Sequence, residues 1–466
     1  MTSSLLQAAA PPEEMLTLDE FLVQVQEKHE GIAASSKVIE STQFKQEETN
    51  QIYTPTLFAN VTHLWDENPS TLQSSGADSM ATDTATVGVK KNFSTGTSST
   101  LSYNITRNEL NGANPRMVPE PEFYSEKTAL EVRHPLLRNA GGKEFAGAAE
   151  AARIRAESTY YSENYKTKMI LMEAEMAYWR LSFARESVKI QQENLTRAKK
   201  LLSWSRGRVG RGLADQADLL QTEAMVKVRT LDLQAAKDDE KVAIRTFNTL
   251  RGREDERADE AITPYTTALT KSLTIPENPS LRDDVKAMEL AAKAAQTAAE
   301  LVEEKNRASL DVIGNYAING RNTEAGKIPQ KSVDVNNPTW SVGLAFSMPL
   351  DKGIIKNVST GYRLEAEAAE QNVSRKKFEQ QKEWQNLKQK LSEALVRLKL
   401  AEEIEATQKQ KLAYERDRHE RGRSTLYQVL MFEQEYAQSQ LGKLARLNEV
   451  LAIQAQMKTF AASSKD

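Results

Sequence analysis
The chain has 466 residues, of which 39% are apolar, 6% aromatic and 27% charged, and its net charge is −3. That balance gives no reason to expect a nucleic-acid partner, and the absence of cysteine excludes disulfides and thiolate metal sites. No run of about 18 apolar residues occurs, so no transmembrane helix is expected; a membrane β-barrel, whose strands carry a weaker signal, stays open.

Residues 1–15 read as a flexible N-terminal segment. The stretch from Met1 to Ala10 lacks a basic start and a full apolar core, so it is not an intact signal peptide. Residues 16–51 read as a helix, with Thr17 and Glu20 in a capping-box pattern and Phe21, Val25 and Ile32 at helical spacing. Pro55 ends it.

The texture then turns to Thr, Ser, Gly and Asn alternating with apolar residues, which draws four strands across about 54–135. The first, 54–65, carries Leu57, Ala59, Val61 and Trp65 on one face, and the second, 84–93, carries Val87, Val89 and Phe93. In the third, 98–107, Leu101, Tyr103 and Ile105 alternate with Ser102, Asn104 and Thr106; the last, 124–135, holds Leu130 and Val132. The connections 66–83 and 108–123 are long and polar, whereas 94–97 is a tight turn. Such strands, with long loops at one end and short turns at the other, describe an outer-membrane barrel. A soluble antiparallel β domain is the other reading.

A long polar helix over about 140–206 runs to a break at Gly207, Gly210 and Gly212, and a helix returns over 213–251. Residues 252–280, with Pro264, Pro276 and Pro279, read as an equatorial connector. A helix from about 280 to 307 leads into strands within about 308–349, marked by Leu310, Val312, Tyr316 and Ile318, then Val342, Leu344, Phe346 and Met348, with a polar loop near 320–338. A second long helix, 353–421, breaks at Gly422, and the return helix 424–461 spaces Leu430, Ala437, Leu441, Leu444 and Leu451 as a coiled-coil seam requires. Residues 462–466 form a tail. At 1.5 Å per residue the long helices are each about 100 Å and the returns about 57 Å.

The plan is duplicated: residues 16–251 form a first repeat and 281–461 a second. Sliding one onto the other puts Gly212 on Gly422, Leu220 on Leu430 and Glu223 on Glu433. The paired strand exits Pro135–Leu136 and Pro349–Leu350, together with these glycine breaks, resemble TolC-type outer-membrane efflux proteins, and the run from His134 to Gly141 resembles that family's strand-to-helix junction.

The resemblance implies an α+β membrane protein: a homotrimer whose strands close one β-barrel in outer-membrane lipid and whose helices continue it as a tunnel into the periplasm of a Gram-negative bacterium. It implies passive conduction as the duct of a tripartite efflux or type I secretion system, with a periplasmic adaptor and an inner-membrane pump as partners. Neither an enzymatic activity nor a cofactor is expected, because no catalytic constellation or phosphate-cradling loop is visible. The family archetype has four strands per protomer. Here the extra hairpin at about 84–107 makes six per protomer and eighteen in a trimer if it enters the barrel; otherwise it lies outside as a loop ornament. The absence of cysteine tells against the lipid-anchored branch. The rival readings are a non-channel periplasmic adaptor and a structural coiled-coil scaffold.

Functional residues are expected at the helix-hairpin tips, near 207–212 and 422. The resemblance puts the family's first-repeat acidic residue on Asp218, its second-repeat partners on His419 and Ser424, and its two constricting acidic positions on Gln428 and Met431. The acidic ring is therefore missing. The tips instead carry Arg206, Arg208, Arg211, Arg416, Arg418, Arg421 and Arg423 beside Asp215, Asp218, Asp417 and Glu420. A charge-balanced mouth held by Arg–carboxylate pairs is expected, with an Asp218–His419 contact adding pH sensitivity. Gly210, Gly212 and Gly422 supply the turns, and Pro135 and Pro349 the strand–helix junctions.

Overall fold
A computed structural model of the chain describes residues 15–69, 76–272, 279–323 and 337–461. The expected N-terminal segment up to residue 14, the tail 462–466, Pro276 and the middle of the loops 66–83 and 320–338 lie outside the described residues.

The chain divides into two units. One holds residues 40–159 and 288–373 and is organised by a single six-stranded antiparallel sheet in the order β1 to β6. Its strands are β1 (Thr56–Asp66), β2 (Ser79–Asn92), β3 (Ser98–Asn111), β4 (Glu122–Pro135), β5 (Ser309–Asn322) and β6 (Pro338–Ser347). The hairpin β2–β3 lies within the sheet, paired to β1 on one side and β4 on the other. Its turn closes with Phe93 N–H donating to the Thr97 carbonyl (2.8 Å) and Gly96 at φ 82°. That turn abuts Gly142, where a Cβ would collide with the Ser94 carbonyl.

The other unit holds residues 1–39, 160–287 and 374–466. Its helices are α1 (Leu18–Lys28), part of α2 (Glu30–Gln46), most of α3 (Lys143–Val209), α4 (Gln216–Leu250), the start of α5 (Asp283–Lys305), most of α6 (Lys352–Glu420) and α7 (Leu426–Lys458). The apolar core gathers where the connector crosses α3, α4 and α1. Phe21 stacks on Phe247 with ring centres 4.2 Å apart, and the buried Tyr178 donates its hydroxyl to the Leu16 carbonyl at 2.7 Å. Arg251, almost fully buried, pairs with Glu260 at 2.8 Å and with Asn248, tying the end of α4 to the connector.

The N-terminal helix expected over 16–51 is two helices and a 3₁₀ segment. The Thr17–Glu20 capping box forms as the spacing predicts. At His29, however, ψ turns to 118°, and its Nδ1 accepts from Gly31 N–H (3.1 Å). A residue able to cap the next turn with its own side chain interrupts a helix that periodicity alone would continue.

Candidate functional site
Two features carry the candidate chemistry, one in each unit: the paired helix turns and the two-faced sheet.

The turns are built alike. After α3, Gly212 N–H donates to the Val209 carbonyl (2.9 Å) and Leu213 N–H to the Arg208 carbonyl (2.9 Å), with Gly212 at φ 72°. After α6, Gly422 N–H donates to the His419 carbonyl (3.0 Å) and Arg423 N–H to the Arg418 carbonyl (2.8 Å), with Gly422 at φ 73°. Each is a Schellman motif, which satisfies helix-end carbonyls through a left-handed residue. Gly210, two residues before Gly212, donates to the Arg206 carbonyl (3.0 Å).

The side chains repeat as well. Arg208 reaches the Leu213 carbonyl (3.0 Å) and Arg418 the Arg423 carbonyl (3.1 Å), so each arginine clamps its own turn. Arg206 pairs with Glu223 (3.2 Å), and Arg416 with Glu433. Asp215 caps α4 through Ala217 N–H, and Thr425 caps α7 in a capping box with Gln428.

The turns differ in the burial of the carboxylates beside them. Glu433 is 3% exposed and also accepts from Arg197 (3.2 Å), whereas the Glu223 side chain is 37% exposed and pairs among the described residues with Arg206 alone. Of the expected basic residues, Arg421 pairs with Asp417 (2.9 Å), Arg418 with Glu415 (3.4 Å) and Arg211 bonds to the Gly207 carbonyl (3.0 Å). The carboxylates that hold the tip arginines are thus Glu223, Glu433, Glu415 and Asp417. Asp215 serves as a helix cap, and no ion pair of Asp218 or Glu420 occurs among the described residues.

Within the chain no hydrogen bond or ion pair joins Asp218 to His419 among the described residues. His419 is instead buried against Trp204, ring centres 4.5 Å apart, and its Nδ1 lies 2.9 Å from the Ser424 carbonyl. A carbonyl only accepts, so the proton sits on Nδ1, and the buried Nε2 has no partner among the described residues. Arg208 lies over the other ring, 4.8 Å from the Trp204 centre. Ser424 also bonds to Glu415 and Gln428. Met431 lines a groove of about 540 Å³ between α4 and α7 with Met225, Val228 and Tyr427.

Trp204, Arg197 and the Glu433 cluster escaped the sequence reading. One signal was available: Arg206 and Glu223 have the same separation as Arg416 and Glu433. No comparable signal marked Trp204, whose counterpart position is Tyr414.

At the strand ends, Pro135 is buried and the next amide, Leu136 N–H, donates to the Leu310 carbonyl (2.7 Å). Asn139, at φ 60°, accepts from Glu144 N–H (3.0 Å) and so opens α3. Pro349 is exposed, and Asp351 accepts from Ile354 N–H (2.9 Å) at the start of α6.

The sheet has two unlike faces. Following the register across all six strands joins Leu57, Val89, Leu101, Leu130, Tyr316 and Trp340 in one row. That face is apolar and exposed, with Val61 at 83%, Trp340 at 73% and Leu344 at 71%. The opposite face carries side-chain ladders: Thr86 to Asn104 (2.6 Å), Thr84 to Thr106 (3.2 Å), Thr82 to Asn108 (3.2 Å) and Asn319 to Thr339 (2.8 Å). Toward one end the apolar face gives way to a charged row, in which Arg107 bridges Asp83, Glu109 and Glu122 and His63 meets Asp83 (2.6 Å). A face this apolar is not left to water in a soluble protein. Polar side chains opposite such a face suit a water-filled lumen.

No protein-family model matches the sequence, and no curated protein matches it either. Solved structures do resemble it. The outer membrane protein VceC from Vibrio cholerae superposes with a TM-score of 0.69 at 13% identity, covering 95% of each chain. The Neisseria gonorrhoeae MtrE outer membrane channel in its open state gives 0.68 at 15% identity, over 95% of this chain and 88% of that one. CusC, solved in connection with transmembrane channel formation, gives 0.66 at 12% identity, over 98% and 95%. At this level of identity the likeness shows the fold, which is that of outer-membrane channels: barrel strands joined to long tunnel helices.

Proposed function
We propose that this chain is the outer-membrane duct of a tripartite efflux or type I secretion system, acting as a homotrimer. The observation that carries the reading is the two-faced sheet: large apolar side chains exposed on one side, hydrogen-bonded hydroxyls and amides on the other. Lipid is the medium that accepts the first face. The sheet's unpaired edges, β1 and β6, then require partner strands, because unsatisfied backbone groups in hydrocarbon cost several kcal/mol each. The resemblance to solved outer-membrane channels supports the same conclusion.

The duct conducts passively. Its helical part lines the conduit on the periplasmic side, and the turns at Gly212 and Gly422 form the mouth that a periplasmic adaptor and an inner-membrane pump engage. Arg208, Arg211, Arg421 and Arg423 with Gly210, Asp215, Asp218, His419, Ser424, Gln428 and Met431 line that end. Adaptor binding shifts the mouth between closed and open arrangements.

The test is reconstitution into a planar bilayer with native mass measurement. A detergent-requiring trimer producing discrete, long-lived conductance steps is the expected result. A monomer stable without detergent, or a trimer that leaves the bilayer silent, overturns the reading.

A further inference from the structure
The register of the sheet fixes how neighbouring copies join. We infer that three copies close one eighteen-stranded barrel, with all six strands of each chain in the wall, and that Val342 of β6 sits opposite Val61 of β1 in the next copy. The inference rests on the trimeric duct reading and adds the strand count and the seam.

The hairpin β2–β3 is not an ornament beside a four-stranded sheet. It separates β1 from β4 along their whole paired length, and each of its strands is bonded on both sides. Its own alternation continues the two faces: Val87, Val89, Leu101 and Ile105 lie on the apolar side, and Thr84, Thr86, Asn104 and Thr106 on the ladder side. Removing it from the wall would expose this apolar surface to water. Six is an even number, so β6 of one copy runs antiparallel to β1 of the next and the meander closes without a parallel pair.

Which residues meet at the seam follows from three conditions. Side chains alternate between faces, so the β1 residue opposite Trp340 has to share its face and be odd-numbered, as Leu57, Val61 and Trp65 are. The perpendicular row leaving Leu57 arrives at Trp340. Closing the barrel then shifts the row along the next β1 by an even number of residues.

A shift of six sets His63 opposite Trp340, and all ten residues of β6 fall within the span Thr56–Asp66. A shift of eight carries Pro338 past the end of β1, and a shift of four leaves Phe346 and Ser347 unpaired.

Tilt points the same way. With strands about 4.8 Å apart and about 3.3 Å per residue, a six-residue shift per copy gives a tilt of about 35°, at the edge of the usual range of about 35–45°. A shift of four gives only about 25°. The resulting ring is roughly 33 Å across between backbones.

At this register Val342 faces Val61, Leu344 faces Ala59 and Phe346 faces Leu57, so the apolar band runs unbroken across the seam. On the other face Ser341 meets Thr62 and Gly343 meets Asn60, continuing the hydroxyl and amide lining.

The chain has no cysteine, so introduced thiols report without background. Opposed residues on neighbouring strands are close enough for a disulfide. The double variant Val61→Cys/Val342→Cys, oxidised in native membranes, is expected to give covalent dimers and trimers on non-reducing gels, with each single variant remaining monomeric there. A second variant, Val61→Cys/Ala85→Cys, is expected to form a disulfide within one chain, read by peptide mass spectrometry.

Cross-linking by Trp65→Cys/Trp340→Cys in place of the Val61 pair means a shift of eight and overturns the seam. Failure of the Val61/Ala85 disulfide removes the hairpin from the wall and overturns the strand count. Both failures in a particle that is still trimeric and conducting leave the duct reading intact. A particle that is not trimeric removes its foundation.

Discussion
Replacing Gly212 or Gly422 with alanine is expected to loosen its turn by about 1–2 kcal/mol, the cost of placing an L-residue in the left-handed region. At both positions φ is above 70° and a Cβ would meet nothing within 4 Å, so the whole penalty is backbone and no steric term adds to it. At about 1.4 kcal/mol per decade, local opening becomes roughly 5- to 30-fold more frequent. The amides to watch are Leu213 and Arg423, whose bonds to the Arg208 and Arg418 carbonyls close the two motifs. Amide hydrogen exchange of the detergent-solubilised protein reads both directly. Asparagine at either position is expected to cost less, because it tolerates the left-handed region. Gly207 supplies the opposite sign. It lies inside α3, where a Cβ also meets nothing within 4 Å, and alanine there is expected to stabilise the last helical turns by about 1 kcal/mol. Unchanged exchange at Leu213 in Gly212→Ala, or faster exchange in Gly207→Ala, would refute the assignment of these glycines.

Three further outcomes follow from the same geometry. Glu433→Gln withdraws charge from between Arg197 and Arg416 and is expected to destabilise by about 1–3 kcal/mol, whereas Glu223→Gln at the exposed counterpart stays within about 0.5 kcal/mol; thermal midpoints of the helical circular-dichroism signal rank the two. The Arg251 hydrogen bond holds the Glu260 carboxyl below its usual range against the opposing effect of burial. A depressed folded value means that its contribution is full above about pH 4.3, the unfolded value, and fades as pH falls through the folded one; the gap in thermal midpoint between the native protein and Glu260→Gln should therefore close in acid and persist at pH 7. On the sheet, Leu344→Arg is expected to cost about 2–4 kcal/mol if it lies near the bilayer midplane, while Ser341→Arg on the ladder face is tolerated. Equal loss of folded protein in the two arginine variants would deny the sheet the lipid-facing side proposed for it.

The regular parts of this fold were legible because they repeat a period. Leu101, Tyr103 and Ile105 against Ser102, Asn104 and Thr106 mark a strand with one dry and one wet face, and β3 occupies 98–111. The strand ends were less visible. β2 begins at Ser79 rather than near 84, and at that end His63, Asp83, Arg107 and Glu122 make the apolar face polar, so alternation disappears. Cross-strand ion pairs hold that stretch, and a single strand's pattern cannot contain them. The turn glycines were legible from composition, since a helix that stops in a left-handed residue favours glycine. The packing of Trp204 on His419 was not, because it joins side chains of α3 and α6 far apart in the chain.

The likeness of the two turns does not oblige them to do the same work. Both turns keep the Schellman closure and the arginine that clamps it, which are local and follow from glycine, arginine and spacing. They part company where tertiary packing enters. Position 209 is valine and position 419 histidine; position 214 is alanine and position 424 serine. Only the second turn therefore gains the Ser424–Glu415 and His419–Ser424 bonds, and only its glutamate is buried between two arginines. A turn whose flanking side chains are buried and multiply bonded opens at a higher free energy than one whose flanks are exposed. The first turn is accordingly expected to open more readily than the second, which faster amide exchange at Leu213 than at Arg423 would show.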